Sequence, residues 1–558
     1  MQMNDISRQF KLTGISVLIV LLLLSCSTHQ STKAKSSGTI ASMPIDWRDE
    51  IIYHVMPRSF YDSDGDLHGD LNGFVEKLDY LQELGVTTIL FTPLYASEFY
   101  HNYFPTDYEK IDPEYGSKED YLHFVRAVHK RGMKFLMDME TQYAQSGNKW
   151  FDDSYQNPSS EYSDFIYYND SLNQLPEQIF MESGSPLYDF TAWPGDKYNI
   201  VILDLNNDRL RQWMVDFYAY WVDPNGDGNF EDGVDGFRID HIMDDLDKKG
   251  IFTDLYSSFW NPIFLKCKSI NPDILILGEQ SHWSDYGDDM VARSGADAAF
   301  NFQLRFALAG EEDADDMFSD PVSKSVIMDP MRIHEVVSES VIRFKDGTYV
   351  VSFLENHDTY RWASVVNGNT GQIRIGAALY LLLPGIPSIY YGQELGLTGI
   401  KGDWGSDEND IPVREAFPWT TEPDNDGTAV FYKNTGECWN VSFHRTEAIR
   451  ELALSVQLQD SESLWYHYQE LIALRKKYPA FRQGSYTPVY LNDSRFMAFR
   501  RAHDGNELLV ILNVLGENLR LIESDLSGWH AEPVAGEFQV EKNGALSLEP
   551  YQYVVLKN

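Results

Sequence analysis

Cysteine is nearly absent from this chain, with three in 558 residues. Cys267 and Cys438 stand far apart, and Cys267 lies in an apolar-periodic stretch at 262–270, so buried free thiols are expected rather than a bridge. Cations are in short supply too: Lys and Arg total 45 against 85 Asp and Glu, a net charge of −40. That excess of acid argues against nucleic acid or anionic lipid surfaces as partners. The apolar run 15–24, broken only by Ser16, reaches about half of a ~30 Å hydrocarbon core at ~1.5 Å per residue, too little to span a membrane. No Gly-rich loop has phosphate- or dinucleotide-binding spacing, no His pair has zinc-protease spacing, and no Ser sits in a nucleophile elbow. What remains is a chain with 43% hydrophobic and 14% aromatic residues and an ordinary 38 Gly. Disordered, collagenous and coiled-coil classes are thereby excluded, and a large core is within reach.

Arg8 and Lys11 precede the apolar run, which ends in Leu23-Leu24-Ser25-Cys26. This order resembles the lipobox of bacterial lipoproteins. The resemblance implies a signal peptide over 1–25, a diacylated N-terminus at Cys26 and a flexible Ser/Thr/Lys-rich tether over 26–45. The expected localisation is an exported, membrane-anchored lipoprotein facing the periplasm or the outside.

From about residue 46 short β-like runs alternate with amphipathic helical stretches. The runs fall at 51–55, 88–91, 134–138, 236–240, 274–279, 296–300, 350–354 and 386–391. Between the first two, Phe74-Val75, Leu78, Leu81 and Leu84 repeat at helical spacing and end on Gly85. Eight strands in βα alternation predict an α/β (β/α)8 barrel over 46–480. The long Ser-, Asn-, Asp- and Tyr-rich gap at about 139–206 predicts a small domain inserted after the third strand. Alternating strands with turns over 481–558 predict a C-terminal β-sandwich domain.

Function in such barrels sits at the C-terminal strand ends. Arg238 and Asp240 are two apart on the fourth strand and share a face, where the guanidinium keeps the carboxylate ionised, as a nucleophile requires. Glu279 emerges from an apolar run at the end of the fifth strand, where partial burial raises its pKa, as a general acid requires. The seventh strand ends in Glu355-Asn356-His357-Asp358, a further carboxylate with an imidazole beside it. Together, GFRID at 236–240, GE at 278–279 and NHD at 356–358 resemble the conserved regions of the α-amylase family, glycoside hydrolase family 13. So do GDLNGFVEKLDYLQELG at 69–85, HNYFPTDY at 101–108 and GIPSIYYGQELG at 385–396.

The resemblance implies the same layout of barrel, inserted domain and sandwich. It also implies hydrolysis of α-glucosidic bonds, mainly α-1,4, in starch-like glucans or maltooligosaccharides. Asp240 would be the nucleophile, Glu279 the acid/base and Asp358 the transition-state stabiliser. Substrate contacts would come from Tyr103, whose aromatic face suits a pyranose, and from Arg238, His357, Tyr143 and Arg361. A transglycosylase with the same site and a non-catalytic glucan-binding lipoprotein are the alternative readings. The chain departs from the family pattern where Gln142 replaces a calcium-ligating Asn, Tyr143 a substrate-binding His, and Met243 and Asp244 a Lys-His pair.

Two acidic loops are candidate Ca²⁺ sites. Asp62, Asp64, Asp66 and Asp70 occupy odd positions of a Gly-bent turn, and resemblance to neopullulanase-like members adds the carbonyl of His68. Asp223, Asn225 and Asp227 begin a second loop like an EF-hand, but Val234 stands at its twelfth position.

Overall fold

Eight parallel strands close into a barrel in a computed structural model, which describes residues 45–558 except 319–324, 346, 423, 425–426, 492, 522–531, 537 and 541–544. The signal peptide, the tether and Cys26 lie outside the described residues. The strands are β1 (Ile52–Val55), β2 (Thr88–Phe91), β3 (Lys134–Met139), β4 (Gly236–Ile242), β5 (Leu275–Gln280), β6 (Ala298–Phe300), β7 (Tyr349–Ser352) and β8 (Ile386–Tyr390). Each overlaps its sequence-predicted run, with ends differing by a residue or two.

Inside the barrel Ile52, Leu90, Leu136, Leu275, Leu277, Ala298, Phe300, Val351 and Ile386 pack into one buried cluster. These inward positions recur every second residue, as a pleated strand demands. Following the same faces towards the C-terminal ends, Leu136 leads to Asp138, Leu277 to Glu279, and Gly236 to Arg238 and Asp240. Thus the barrel axis is apolar at the bottom and ionic at the top. Gly236 permits the tight pairing with β3 and β5, since a Cβ there would stand 2.4 Å from Leu275 O and 2.6 Å from Leu136 Cδ2.

Around the barrel run the helices of a larger core. The stretch expected between β1 and β2 forms helices Leu71–Glu76 and Leu78–Leu84, the second closed by Gly85 at φ +98°. After β3, strand Tyr143–Gln145 pairs antiparallel with Ile200–Ile202 around helix Lys149–Ser154. Cys267 and Cys438 are free and buried.

A C-terminal domain follows helix Leu464–Lys477. Its five-stranded sheet faces a three-stranded one across Phe496, Ala498, Leu509, Ile511, Leu519, Leu546 and Val554. The alternate residues Met497, Phe499, Val510 and Val555 join the barrel's outer core. Arg501 ties the two domains together: its buried guanidinium donates to Leu382 O at 2.9 Å, Gly484 O at 3.0 Å and Ser485 O at 3.3 Å. Leu382 ends helix Thr370–Leu382, so Arg501 satisfies one of its orphan carbonyls. Arg501→Met therefore lowers unfolding stability by about 2–4 kcal/mol, read as a lower urea midpoint. An unchanged midpoint would contradict this role.

Candidate active site

One guanidinium organises the top of the barrel. Arg238, 1% exposed, donates through Nη1 to both oxygens of Asp138 (2.8 and 2.9 Å) and to Asp240 Oδ1, and through Nη2 to Glu279 Oε2 at 2.6 Å. The fork geometry of Arg suits this sharing among carboxylates on three adjacent strands. Tyr103 donates its hydroxyl to Asp138 Oδ2 at 2.7 Å and stands 2.7 Å from His357 Nε2, with the two rings stacked at 5.4 Å. Asn102 makes this placement possible by adopting φ +62°, a left-handed turn that Asn tolerates, anchored by donation to Tyr95 O at 2.9 Å.

Beyond β7, Asn356 Oδ1 accepts the Asp358 N–H at 3.0 Å, a local turn that directs the Asp358 carboxylate to the cleft. Its Oδ2 lies 2.9 Å from His357 Nε2, and its Oδ1 accepts from Arg414 Nη2 at 3.0 Å. Arg414 also donates to His357 O at 2.9 Å and Tyr100 Oη at 3.0 Å. Trp283 donates Nε1–H to Glu279 Oε1 at 3.0 Å, its ring stacked on Phe302 at 4.7 Å.

These surroundings separate the three carboxyls. Burial drives the Glu279 carboxyl up to about 7, although Arg238 and His241 oppose it. Burial also works against ionising Asp240, but His241 and Arg238 outweigh it and hold this carboxyl below its ordinary value. For Asp358, burial is overcome by His357 and Arg414, which hold it well below the carboxylate range. Below pH about 7 the centre thus offers two carboxylates, Asp240 and Asp358, and a carboxylic acid at Glu279, while burial lifts Asp138 to about 7 as well, against Arg238. An oxygen of Asp240 and one of Glu279 lie within 4.8 Å of each other.

Residues 54–484 match the catalytic domain of the alpha-amylases. The chain belongs to the α-amylase family. It is 28% identical over 528 residues to Alpha-amylase 3 of Dictyoglomus thermophilum, covering 92% of this chain and 93% of that one. It is 26% identical over 562 residues to Trehalose-6-phosphate hydrolase of Bacillus subtilis, covering 92% and 98%. The crystal structure of an alpha-amylase from H. orenii matches with a TM-score of 0.71 at 25% identity, over 91% of this chain and 99% of that one. This α-amylase-family member is a glycoside hydrolase built on the family's (β/α)8 barrel.

The predicted Asp240, Glu279, Asp358, Arg238, Tyr103 and His357 converge on one centre. Tyr143 reaches its edge, but its hydroxyl donates to Asp247 Oδ1 at 2.8 Å. Arg361 does not belong with the substrate contacts. Its guanidinium is buried 4.2 Å over the Tyr390 ring and donates to Glu355 Oε1 at 2.9 Å and Tyr391 O at 2.6 Å. The chain turns into helix Trp362–Val365 just past Asp358, which takes the Arg361 side chain away from the cleft. Sequence reading missed Arg414, which no local spacing links to Asp358. It also missed Trp283, whose only signal is its position four residues after Glu279.

Of the acidic loops, the first brings oxygens of Asp62, Asp64 and Asp70 within 4.8 Å of one another. Burial and the neighbouring carboxylates of Asp66, Asp70 and Asp62 push Asp64 up, a repulsion that a bound cation relieves. Hard carboxylate oxygens in this density fit Ca²⁺. Asp66 accepts the His68 N–H at 2.8 Å, and the His68 ring, as distinct from the carbonyl expected as a ligand, turns to Arg58 Nη1 at 2.8 Å.

The second loop ties its side chains to its own backbone. Asp223 accepts from Gly226 N (3.0 Å) and Gly228 N (2.9 Å), and Asp227 accepts from Asn229 N (2.8 Å). Asn225 accepts from Asp227 N at 2.8 Å and donates to Asp232 Oδ2 at 2.8 Å. The first loop is tied in the same way, with Asp62 accepting from Gly65 N (2.7 Å) and Leu67 N (2.8 Å) and Asp64 from Asp66 N (3.3 Å), so these bonds do not distinguish the two loops. The calcium position implied between barrel and inserted domain does not fit a cation. There Gln142 Nε2–H donates to His241 O at 3.2 Å, Asp240 O at 3.5 Å and Glu140 Oε2 at 3.2 Å. An amide donor stands where a cation would meet those oxygens.

Proposed function

We propose that this enzyme is a retaining hydrolase of α-glucosidic, mainly α-1,4, bonds in starch-like glucans or maltooligosaccharides. The observation that carries the reading is geometric: Asp240 and Glu279 share Arg238 and bring one oxygen of each within 4.8 Å, where burial favours the proton on Glu279 and the neighbouring cations favour ionised Asp240. A retaining pair needs ~5–5.5 Å, whereas an inverting pair leaves ~6.5–9.5 Å for water. Asp240 attacks the anomeric carbon while Glu279 protonates the departing glycosidic oxygen. The resulting glycosyl ester neutralises Asp240. Glu279, now a carboxylate, takes a proton from water, whose oxygen displaces Asp240 and leaves the α-anomer. Tyr103 and His357 supply aromatic and polar contacts to the sugar in the cleaved position, and Asp358 accepts from its hydroxyls. The two curated relatives described above, named for an amylase and a trehalose-6-phosphate hydrolase, support an α-glucosidic substrate.

The test is a product profile on amylose, pullulan and maltoheptaose, resolved by size and anomeric configuration. Short α-anomeric maltooligosaccharides are expected. β-Anomeric products or no cleavage would overturn the reading, and products longer than the input would replace hydrolysis with transfer.

Ca²⁺ is proposed as a structural ion on Asp62, Asp64 and Asp70, remote from the reacting carboxyls in the chain. A metal that binds only the folded protein stabilises it, so chelation lowers Tm by at least about 2 °C. An unchanged Tm together with a metal-free elemental analysis would remove the ion. Acylation of Cys26 stands as a proposal of the same kind, tested by mass spectrometry of the mature N-terminal peptide. An unmodified Cys26 in the exported protein would overturn it.

A further inference from the structure

Alternation along β4 places Arg238 and Asp240 towards the barrel axis and assigns residue 241 to the outer face among the helices. His241 does not go there. β4 pairs with β5 in register from Gly236 to Ile239, and the pairing resumes, shifted, at Ile242 with Gln280. A β-bulge therefore occupies 240–241, and His241 takes φ +40°, a left-handed conformation that a side-chain-bearing residue seldom adopts. Backbone strain of this kind persists where surroundings over-determine it. Here Gln142, beyond the end of β3, grips the carbonyls of both bulged residues.

The bulge turns two consecutive side chains into one cleft. His241 Nδ1 stands 3.4 Å from Asp240 Oδ2, the oxygen that Arg238 does not hold, and its backbone N–H donates to Glu279 Oε2 at 3.4 Å. The ring remains 42% exposed, so it is open to whatever enters the cleft.

We propose that His241 is a catalytic residue: its imidazolium is a second cation of the centre that faces the nucleophile opposite Arg238 and sets the pH window of the Asp240–Glu279 pair. The groups facing it are Arg238 and Asp240 on β4, Glu279 on β5, Asp358 beyond β7 and Asp247 in the following loop. Desolvation by the protein around its inner side disfavours charging the half-exposed ring, but Asp240 and Glu279 outweigh it and hold the imidazole above its ordinary value. A cation beside two carboxyls favours the ionised form of each. Its removal therefore raises the pKa of Asp240 and of Glu279 together, and the bell-shaped profile of kcat/KM moves to higher pH on both limbs.

This inference deepens the retaining-hydrolase reading and rests on it. The decisive variant is His241→Asn, because Asn tolerates a left-handed backbone. Both limbs should move up by about half a unit to one unit, the charge being partly in solvent, and kcat/KM should fall at the wild-type optimum. His241→Lys, which keeps a cation, should retain limbs near wild type. Unmoved limbs in the Asn variant, or an equal shift in the Lys variant, would overturn the proposal.

A second readout needs no substrate. In histidine-labelled protein the His241 ring, assigned by its loss in His241→Asn, is titrated by NMR in wild type and in Asp240→Asn. Its pKa should drop by about half a unit or more when the facing charge is removed. An equal pKa in both proteins would overturn the proposal. If wild type cleaves no α-glucoside, the retaining-hydrolase reading fails, and this titration still decides the electrostatic role of His241.

Discussion

Asp240→Asn abolishes turnover, with kcat lower by about four to six orders of magnitude, while oligosaccharide affinity stays within a few-fold. The amide has nearly the shape of the carboxylate, and its oxygen can still accept from Arg238, so the site keeps its form. What it loses is the electron pair that attacks the anomeric carbon. Calorimetric binding of a maltooligosaccharide alongside steady-state rates separates the two effects. Wild-type rates in this variant would refute the assignment of the nucleophile. An Asp240→Gly variant gives a stereochemical check. Azide admitted to the vacated position attacks from the nucleophile's side, so an activated α-glucoside yields the β-glucosyl azide. An α-azide would place the nucleophile elsewhere.

The second large effect is at Glu279. Glu279→Gln lowers kcat on maltooligosaccharides by about 10²–10⁴-fold, because the sugar alkoxide then leaves without a proton. α-Glucosyl fluoride, whose leaving group needs no protonation, loses far less in the first step. The pH profile adds a signed test. Glu279 must be protonated to act, and burial places its carboxyl at about 7, against Arg238 and His241. On its basic side wild-type kcat/KM is therefore lost as pH rises through about 7, whereas the Gln variant has no such limb. A wild-type profile that stays flat to pH 9, or an equal penalty on both substrates, would sink the assignment.

Much of this centre is legible in the sequence, because strand geometry is periodic. Arg238 and Asp240 share a face by the two-residue repeat, and Leu275, Leu277 and Glu279 show the inner face turning from apolar to acidic at the strand end. Arg361 shows the limit of that reasoning. Its closeness to Asp358 in the chain carried no information about direction, since the backbone turns between them, and the arginine that meets Asp358 is Arg414. The two acidic loops carry similar spacing and close on themselves alike. Both spend side chains on their own backbone N–H groups, and in the first three carboxylates also converge.

The sequence by itself determined the alternation of strands and helices, the inward-facing acid and base at two strand ends and the acidic character of the surface. Each is written in local periodicity or composition. Only the tertiary structure decided which cations meet which carboxylates, that Trp283 meets Glu279, and that a bulge brings His241 in beside Asp240. Those contacts join segments far apart in the chain or break the local period, so no short-range pattern encodes them.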